Sequence, residues 1–241
     1  MGSFIVTGDR LVGVIGGMGP EATVDFMARV IAATPAETDQ DHIRMLVEHN
    51  PRIPSRQSAV RRKGDDPGHV LASIASRLQI GGADFIVMPC NLAHAWSREI
   101  ESAVCIPFVS IIDETVSRAR QSSHGGAIGL LTTPGCFAAG LYQDALAGQE
   151  LVLQSDDELA AAMEYVRQIK AGDKSSKVAK GLRGLAEELV GRGARTLIAA
   201  CTEFPLVLDA SMFNVPFISS TDVLAEKTVE LALSDKPFPS N

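Results

Sequence analysis

The sequence predicts an α/β protein built from two similar doubly wound parallel-sheet domains of the Rossmann-like kind, related by pseudo-twofold symmetry. Short apolar runs of strand length alternate with segments of helical periodicity, the pattern of parallel βαβ units with right-handed crossovers. The same order of elements occurs twice along the chain. In each half one apolar run leads to a cysteine, Cys90 in the first and Cys201 in the second.

The first half begins with the apolar run 11–15, followed by a Gly-rich turn. Pro20 fits the first position of the next helix, because its missing N–H would have no partner there, and Pro35 ends that helix. Further strands are predicted at 43–48, 85–88 and 106–111. Further helices are predicted within 57–81, with a break at 64–68, and at about 91–103 and 113–121.

A polar, Gly-rich stretch at 122–126 predicts the boundary between a first domain, 1–122, and a second, 123–241. We expect the last helix of the chain to pack back on the first domain. The second half has predicted strands at 127–131, 196–200 and 214–218, and predicted helices at 137–147, 156–171, 175–191 and 221–233. Three segments align with three in the first half: IGLLTTPGCFAAG with GVIGGMGPEA, RGARTLIAACT with GGADFIVMPCN, and NVPFISSTDVLAE with CIPFVSIIDETV.

Composition excludes several classes of protein. The net charge is −7 and there is no Lys- or Arg-rich block, which argues against nucleic acid or an anionic membrane as the main partner. No apolar run approaches the roughly 18–20 residues that span a bilayer. The first residues lack a basic segment and a long apolar segment, so no signal peptide is expected. The four cysteines then indicate free thiols in a reducing, cytoplasmic compartment.

Cys90 and Cys201 are the candidate catalytic residues. Ligands of parallel sheets bind beyond the carboxyl ends of the strands, so two facing halves would place both thiols on one cleft. A helix N-terminus lowers a thiol pKa, and each cysteine is expected at such a position. Two thiols on either side of a carbon suit proton removal on one face and delivery on the other. The alternative is that both are buried core cysteines, as expected for Cys105.

For three further features, the sequence allows either a role in the site or an ordinary structural role. The turn at Gly16–Gly19 contains G-x-G-x-x-A, a weak dinucleotide fingerprint, and we prefer its alternative role as backbone N–H donors to a carboxylate. Three interpretations of His94 are possible. A structural histidine is ranked first, a residue that supports catalysis second, and a zinc ligand together with Cys90 and Cys201 third. Cys136 either lines the cleft or belongs to a mere connection.

Charged candidates are weaker. Arg52 and Arg56 lie in a Pro-bounded loop, and an arginine fork suits a carboxylate. Glu203 either tunes the surroundings of Cys201 or is a solvated acid at a helix start. Lys170 ends a predicted helix, where its positive charge is favourable in any case.

Five segments together resemble the aspartate/glutamate racemase superfamily, and specifically its aspartate racemase-like branch. They are GGMGPEAT, NPRIPSR, GADFIVMPCNLAH, IPFVSIIDET and ACTEFPLVL, which cover nearly the whole chain in order. The resemblance implies two α/β domains related by pseudo-symmetry, racemisation without pyridoxal phosphate, any other cofactor or a metal, and a homodimer. It also implies that the protein acts on a small acidic amino acid, with neither nucleic acid nor a membrane as a partner.

The resemblance also implies roles for particular residues. Cys90 and Cys201 match the two catalytic cysteines, and Arg56 and Lys170 match residues that bind the substrate side-chain carboxylate. The remaining substrate-binding positions are Met18, Asn91, Leu92, Thr133, Thr202 and Glu203. Leu92 departs from the family, where a threonine that helps to bind the substrate is usual, and this places the substrate identity in question.

The sequence therefore predicts a cofactor-independent amino-acid racemase acting on aspartate, or on aspartate and glutamate. Cys90 and Cys201 alternate as thiolate base and thiol acid. One alternative is a related two-cysteine isomerase of the maleate or hydantoin type. Another is a non-catalytic or redox protein that uses the same two thiols.

Overall fold

A computed structural model describes residues 9–238, and its first half is a four-stranded parallel sheet with flanking helices. The strands are β1 (Val12–Gly16), β2 (Met45–His49), β3 (Phe85–Val87) and β4 (Phe108–Val109). The helices are α1 (Pro20–Ala33), α2 (Arg56–Val60), α3 (Gly68–Ile80), α4 (Ser97–Glu101) and α5 (Ile111–Ser123). The expectation about the first residues of the chain falls partly on 1–8, outside the described residues.

The second half repeats this architecture. Its strands are β5 (Ile128–Leu131), β6 (Leu151–Leu153), β7 (Thr196–Ala199) and β8 (Phe217–Ser219). Its helices are α6 (Pro134–Ala138), α7 (Leu141–Ala145), α8 (Asp156–Lys170), α9 (Ser176–Gly191) and α10 (Ser220–Ala232). The strand orders β2-β1-β3-β4 and β6-β5-β7-β8 are equivalent, which confirms the predicted fold class.

The central strands are apolar because helices cover both faces of each sheet. All residues of β1, β3, β5 and β7 are buried. The strands β3 and β7 hold equivalent places, and each ends just before a candidate cysteine. The sheets thus deliver both thiols from their carboxyl ends, where parallel sheets bind ligands.

Two helices pack across the division of the sequence. The C-terminal helix α10 packs against α1 and α5, and α5 also packs against β7 and β8. The chain passes from one half to the other through His124, which has a left-handed φ of 47°, and Gly125, with φ of 85°. A domain boundary at residues 122 and 123 stays a prediction.

Three local expectations are wrong. The edge strand β6 was not predicted, because three residues are too few for a clear periodicity. The helix predicted at 137–147 is two short helices separated by Gly140, whose φ is 68°. Cys105 is exposed rather than buried in the core, because β4 begins only at Phe108. Within residues 9–238, every helix is too short or too polar to span a bilayer.

Candidate active site

One cleft of about 420 Å³ brings together all ten residues that the sequence analysis assigned to the site. They are Met18, Arg56, Cys90, Asn91, Leu92, Thr133, Lys170, Cys201, Thr202 and Glu203. The two thiols come from different sheets, as expected for a ligand held between the halves. Arg52, the other arginine of the Pro-bounded loop, is exposed and does not line this cleft.

The segment that follows Cys90 is fixed by a buried histidine. The His94 ring lies with Nδ1 2.9 Å from the Cys90 carbonyl, while Nε2 lies 3.1 Å from the Ile111 backbone nitrogen and accepts its hydrogen. This leaves Nδ1 to donate to the carbonyl, so both ring nitrogens are used. Burial lowers the pKa of His94 to about 4, and the ring is neutral at pH 7. These contacts favour the structural role of His94, because neither ring nitrogen is left free to bind a zinc ion.

Asn91 connects the Cys90 segment to the second half of the molecule. Its Oδ1 accepts a 2.5 Å hydrogen bond from the Tyr142 hydroxyl, and its Nδ2 donates to Ser220 Oγ at 2.9 Å. Ser220 donates in turn to the Ala199 carbonyl at the end of β7. All four residues are buried. The Asn91 side chain is therefore committed to the protein, which leaves its backbone N–H for a ligand.

Cys201 lies in a charged environment. Its Sγ donates to Glu203 Oε2 at 3.0 Å, and Lys170 Nζ lies 3.0 Å from Glu203 Oε1. Burial, followed by the negative charge of Glu203, raises the pKa of Cys201 well above its ordinary value. The expected lowering by a helix N-terminus is wrong for this thiol, because only a three-residue 3₁₀ turn follows it, at Phe204–Leu206.

The Gly-rich turn at Gly16–Gly19 packs closely against the Lys170–Glu203 ion pair. Burial lowers the pKa of Lys170, but the ion pair with Glu203 is the largest of the interactions that outweigh burial and leave that pKa raised. A Cβ at Gly19 would lie 3.0 Å from Glu203 Oε1, so the backbone of this turn closely approaches the Glu203 carboxylate. Gly17 has a φ of 95°, and a Cβ on it would lie 2.3 Å from the Asn50 backbone. The Gly-rich turn therefore packs against both halves of the site.

Backbone donors are available around both thiols. Within residues 9–238, the N–H groups of Met18, Asn91 and Thr202 hydrogen-bond to no backbone acceptor. Unpaired N–H groups at the rim of a cleft suit a carboxylate. This arrangement agrees with the carboxylate role of the Gly-rich turn rather than the dinucleotide role.

The remaining predicted residues, Arg56, Thr133 and Leu92, also line the cleft. Arg56 Nη1 donates to the carbonyls of Ile53 and Pro54, which orients the guanidinium through its own loop. Thr133 Oγ1 accepts a 3.0 Å hydrogen bond from Gln57 Nε2, across the two halves. The Leu92 side chain is buried, and a Cβ at Gly135 would lie 2.8 Å from its Cδ2. The same Cβ would lie 2.3 Å from Gln57 Oε1, so Gly135 leaves room for both side chains.

Residues 15–228 match a family described as the Asp/Glu/hydantoin racemases. The chain belongs to this family. It is therefore an isomerase, and the fold and the recognised family agree with the sequence resemblance.

Individual members of the racemase family match over most of their length. The broad specificity amino-acid racemase RacX of Bacillus subtilis is 28% identical over 229 residues, which are 93% of this chain and 99% of that protein. A glutamate racemase of Acidothermus cellulolyticus is 27% identical over 67% of this chain and 63% of its own. The structure of the Picrophilus torridus aspartate racemase aligns with a TM-score of 0.79, at 30% identity, over 92% of this chain and 94% of that one.

The racemase cleft also contains residues that the sequence analysis missed. They are Ser55, Gln57, Ser58, Arg61, Lys63, Met163, Val166, Arg167 and Ala200. The spacing of Met163, Val166, Arg167 and Lys170 on one helix was the available signal. Cys136, left open between two roles, lines the cleft, and burial raises the pKa of its thiol to about 12. Among residues 9–238, no three His, Cys, Asp or Glu side chains cluster closely enough to hold a metal ion.

Proposed function

We propose that this racemase interconverts the enantiomers of an acidic amino acid, with aspartate as the simplest substrate, through Cys90 and Cys201. The observation that supports the proposal is the equivalent position of the two thiols after β3 and β7 on one cleft. A carbon held between them can lose a proton to one and gain a proton from the other. The stereocentre is inverted because the two thiols approach opposite faces.

Cys201 supplies the proton when Cys90 acts as the base. Its raised pKa and its hydrogen bond to Glu203 keep the Cys201 thiol protonated at neutral pH. The Cys90 thiolate takes the proton from Cα, and the electron pair of the broken C–H bond spreads into the α-carboxylate. That pair then forms a new C–H bond with the Cys201 proton on the opposite face. The other enantiomer reacts by the reverse sequence.

The substrate carboxylates are assigned to different donors. Arg56 and Lys170 bind the side-chain carboxylate, and the N–H groups of Met18, Asn91 and Thr202 bind the α-carboxylate. Donors fixed before the reaction stabilise the charge that develops on the α-carboxylate as the proton leaves. Thr133 contacts the ligand through the hydroxyl hydrogen that its bond from Gln57 leaves free. Leu92 contributes an apolar surface.

The proposal includes the cell compartment and the assembly of the protein. The four cysteines form no disulfide with one another, which fits a thiol enzyme of the reducing cytoplasm. We expect a homodimer, and size-exclusion chromatography with light scattering tests this expectation.

Chiral chromatography tests the proposed reaction. The protein is incubated with L-aspartate and L-glutamate, and the appearance of the D-enantiomers is followed. We expect racemisation together with exchange of the Cα hydrogen for deuterium in deuterated water. A protein that racemises and exchanges neither acid contradicts the assignment of aspartate or glutamate as substrate.

Leu92 supports a second candidate, a hydantoin racemase of the same family. An apolar group in place of a hydroxyl donor suits a ring that carries fewer charges than an amino acid. Racemisation of a 5-substituted hydantoin, with no exchange of aspartate or glutamate, would favour this candidate. Reversible loss of activity on mild oxidation, with a Cys90–Cys201 disulfide, would favour the redox alternative.

A further inference from the structure

The cleft extends well beyond the two thiols along one face of α8. Met163, Val166, Arg167 and Lys170 line it, at the three-, four- and seven-residue spacing of one helical face. Lys170 marks the inner end, beside Glu203 and Cys201. Met163 lies seven residues before it, about 10 Å along the helix axis. Lys170 and Arg167 supply positive charge to this wall, whereas Val166 and Met163 supply its apolar surface.

Another part of the cleft lining carries three cations that have no carboxylate partner among the described residues. Arg56 begins α2, Arg61 caps its C-terminus and Lys63 lies in the following loop, and all three line the cleft. In the described part of the chain no carboxylate lies within 4.0 Å of these three side chains, whereas Arg167 pairs with Glu164 at 2.7 Å. The cleft is thus strongly positive in a chain whose net charge is −7.

Aspartate leaves most of this space empty. A cavity of about 420 Å³ falls in the range of about 300–1,000 Å³ that buries drug-sized ligands, which are much larger than aspartate. If Arg56 and Lys170 hold the side-chain carboxylate of aspartate, Arg61 and Lys63 line the cleft with no ligand carboxylate assigned to them. The apolar surface of Leu92, Met163 and Val166 is also left without a partner.

We propose that the preferred substrates are α-amino acids whose side chain is a longer methylene chain ending in a carboxylate, as in 2-aminoadipate and 2-aminopimelate. This inference rests on the proposed function for the position of Cα between the thiols. The methylenes lie along Val166 and Met163, and the terminal carboxylate meets Arg61 and Lys63. A side chain ending in a cation would face five basic groups and one carboxylate, Glu203, which Lys170 already pairs.

Calorimetric binding to the Cys90→Ala variant tests the length of the subsite without turnover. Aspartate, glutamate, 2-aminoadipate and norleucine are compared, the last as a neutral ligand with a chain of similar length. Each buried methylene strengthens binding about fourfold, so 2-aminoadipate should bind at least tenfold more tightly than aspartate. It should also bind at least tenfold more tightly than norleucine. Equal or weaker binding of 2-aminoadipate relative to aspartate overturns the proposal.

A double variant tests the cations. Arg61→Ser with Lys63→Ser should weaken 2-aminoadipate binding at least tenfold and change aspartate binding less than twofold. Arg62→Asn is the matched control, because Arg62 lies between them, is exposed, does not line the cleft and has a left-handed φ of 56° that asparagine tolerates. An equal effect on both ligands, or an equal effect of the control, overturns the subsite.

The two proposals fail in different ways. Racemisation of aspartate with no preference for the longer acids refutes the subsite and leaves the proposed function standing. Tight binding of 2-aminoadipate with no racemisation or Cα exchange of any amino acid supports the subsite and refutes the proposed function.

Discussion

The segments after the two cysteines, Cys90–His94 and Cys201–Pro205, follow equivalent strands yet have opposite surroundings. The Cys90 segment is held by neutral hydrogen bonds, from the buried ring of His94 and from Asn91. The Cys201 segment is held by charges: Glu203 accepts from the thiol, Lys170 pairs with Glu203, and Arg29 donates to the Pro205 carbonyl at 3.1 Å. The two cysteines therefore occupy equivalent positions in the repeat, but the charges around them differ.

In the proposed reaction, these surroundings favour the protonated state of Cys201. Within the described residues only Cys201 donates to a carboxylate, and burial and that carboxylate both raise its pKa. A two-thiol racemase needs one protonated thiol and one thiolate at the start of each turnover. The surroundings of Cys201 favour the protonated thiol, which is the state that the proposed reaction requires of Cys201 when Cys90 is the base.

Replacing either thiol should have the largest effect. Cys90→Ser and Cys201→Ser should each lower kcat for racemisation at least about 10³-fold, because a hydroxyl is a far weaker acid than a thiol. Chiral chromatography gives the rates. Cys105→Ser is the matched control, because Cys105 is exposed and away from the cleft, and it should keep full activity. Full activity in either catalytic variant would remove that thiol from the reaction.

The buried, neutral His94 that holds the Cys90 segment should make the free energy of unfolding decrease at acidic pH. The pKa of His94 is about 4 in the folded protein, against an ordinary value of about 6.5. A lowered folded pKa means that stability is complete above pH 6.5 and falls as the pH drops to 4, by about 3 kcal/mol in total. Urea unfolding at several pH values measures this change.

Comparison with His94→Gln isolates this contribution. The variant should be less stable at pH 7. Between pH 6.5 and pH 4, however, its free energy of unfolding should fall by about 3 kcal/mol less than that of the wild type. His69→Gln, at an exposed histidine, should keep the wild-type slope. The same slope in His94→Gln and in the wild type would show that His94 is not held neutral by burial.

Glu203, which accepts a hydrogen bond from the Cys201 thiol, should affect the pH dependence of kcat. Glu203→Gln removes a negative charge that raises the Cys201 pKa, so that pKa should fall. The alkaline decline of kcat, where the Cys201 thiol loses its proton, should move to lower pH, and kcat at neutral pH should fall about tenfold. The control is Glu164→Gln, which removes an exposed carboxylate paired with Arg167. An unchanged alkaline limb in Glu203→Gln would contradict the tuning of Cys201.

The smallest expected effect concerns the link between the two segments. Tyr142→Phe leaves Asn91 Oδ1 buried without its donor, which should cost about 1–2 kcal/mol of the free energy of unfolding. Tyr165→Phe is the control, since Tyr165 is only partly buried and its hydroxyl makes no hydrogen bond to the described residues. Urea unfolding compares the two variants, and an equal loss in both would show that the link adds nothing specific.

The sequence predicted the parts of the molecule that depend on local patterns. Continuous apolar runs predicted β1, β3, β5 and β7, because strands covered on both faces need no polar alternation. The short edge strand β6 carries too little pattern to be predicted. The ten site residues were found through the repeat and the family motifs, and the cleft contains all of them.

Contacts between distant residues could not be predicted. Asn91 meets Tyr142, 51 positions away, and Ser220, 129 positions away, only because α7 and α10 pack near the end of β3. The thiol pKa was misjudged for the same reason. Proximity to a helix N-terminus can be inferred from local sequence, whereas the burial of Cys201 and the direction of the Glu203 carboxylate depend on the assembled cleft.

The central claim is that two different thiols act on opposite faces of one carbon. Racemisation of L-aspartate in deuterated water, stopped after a small fraction has reacted, tests it most directly. Mass spectrometry of the separated enantiomers should find deuterium at Cα in the D-product and almost none in the remaining L-substrate. Equal early deuteration of both enantiomers would mean that one group serves both faces, and would contradict the account.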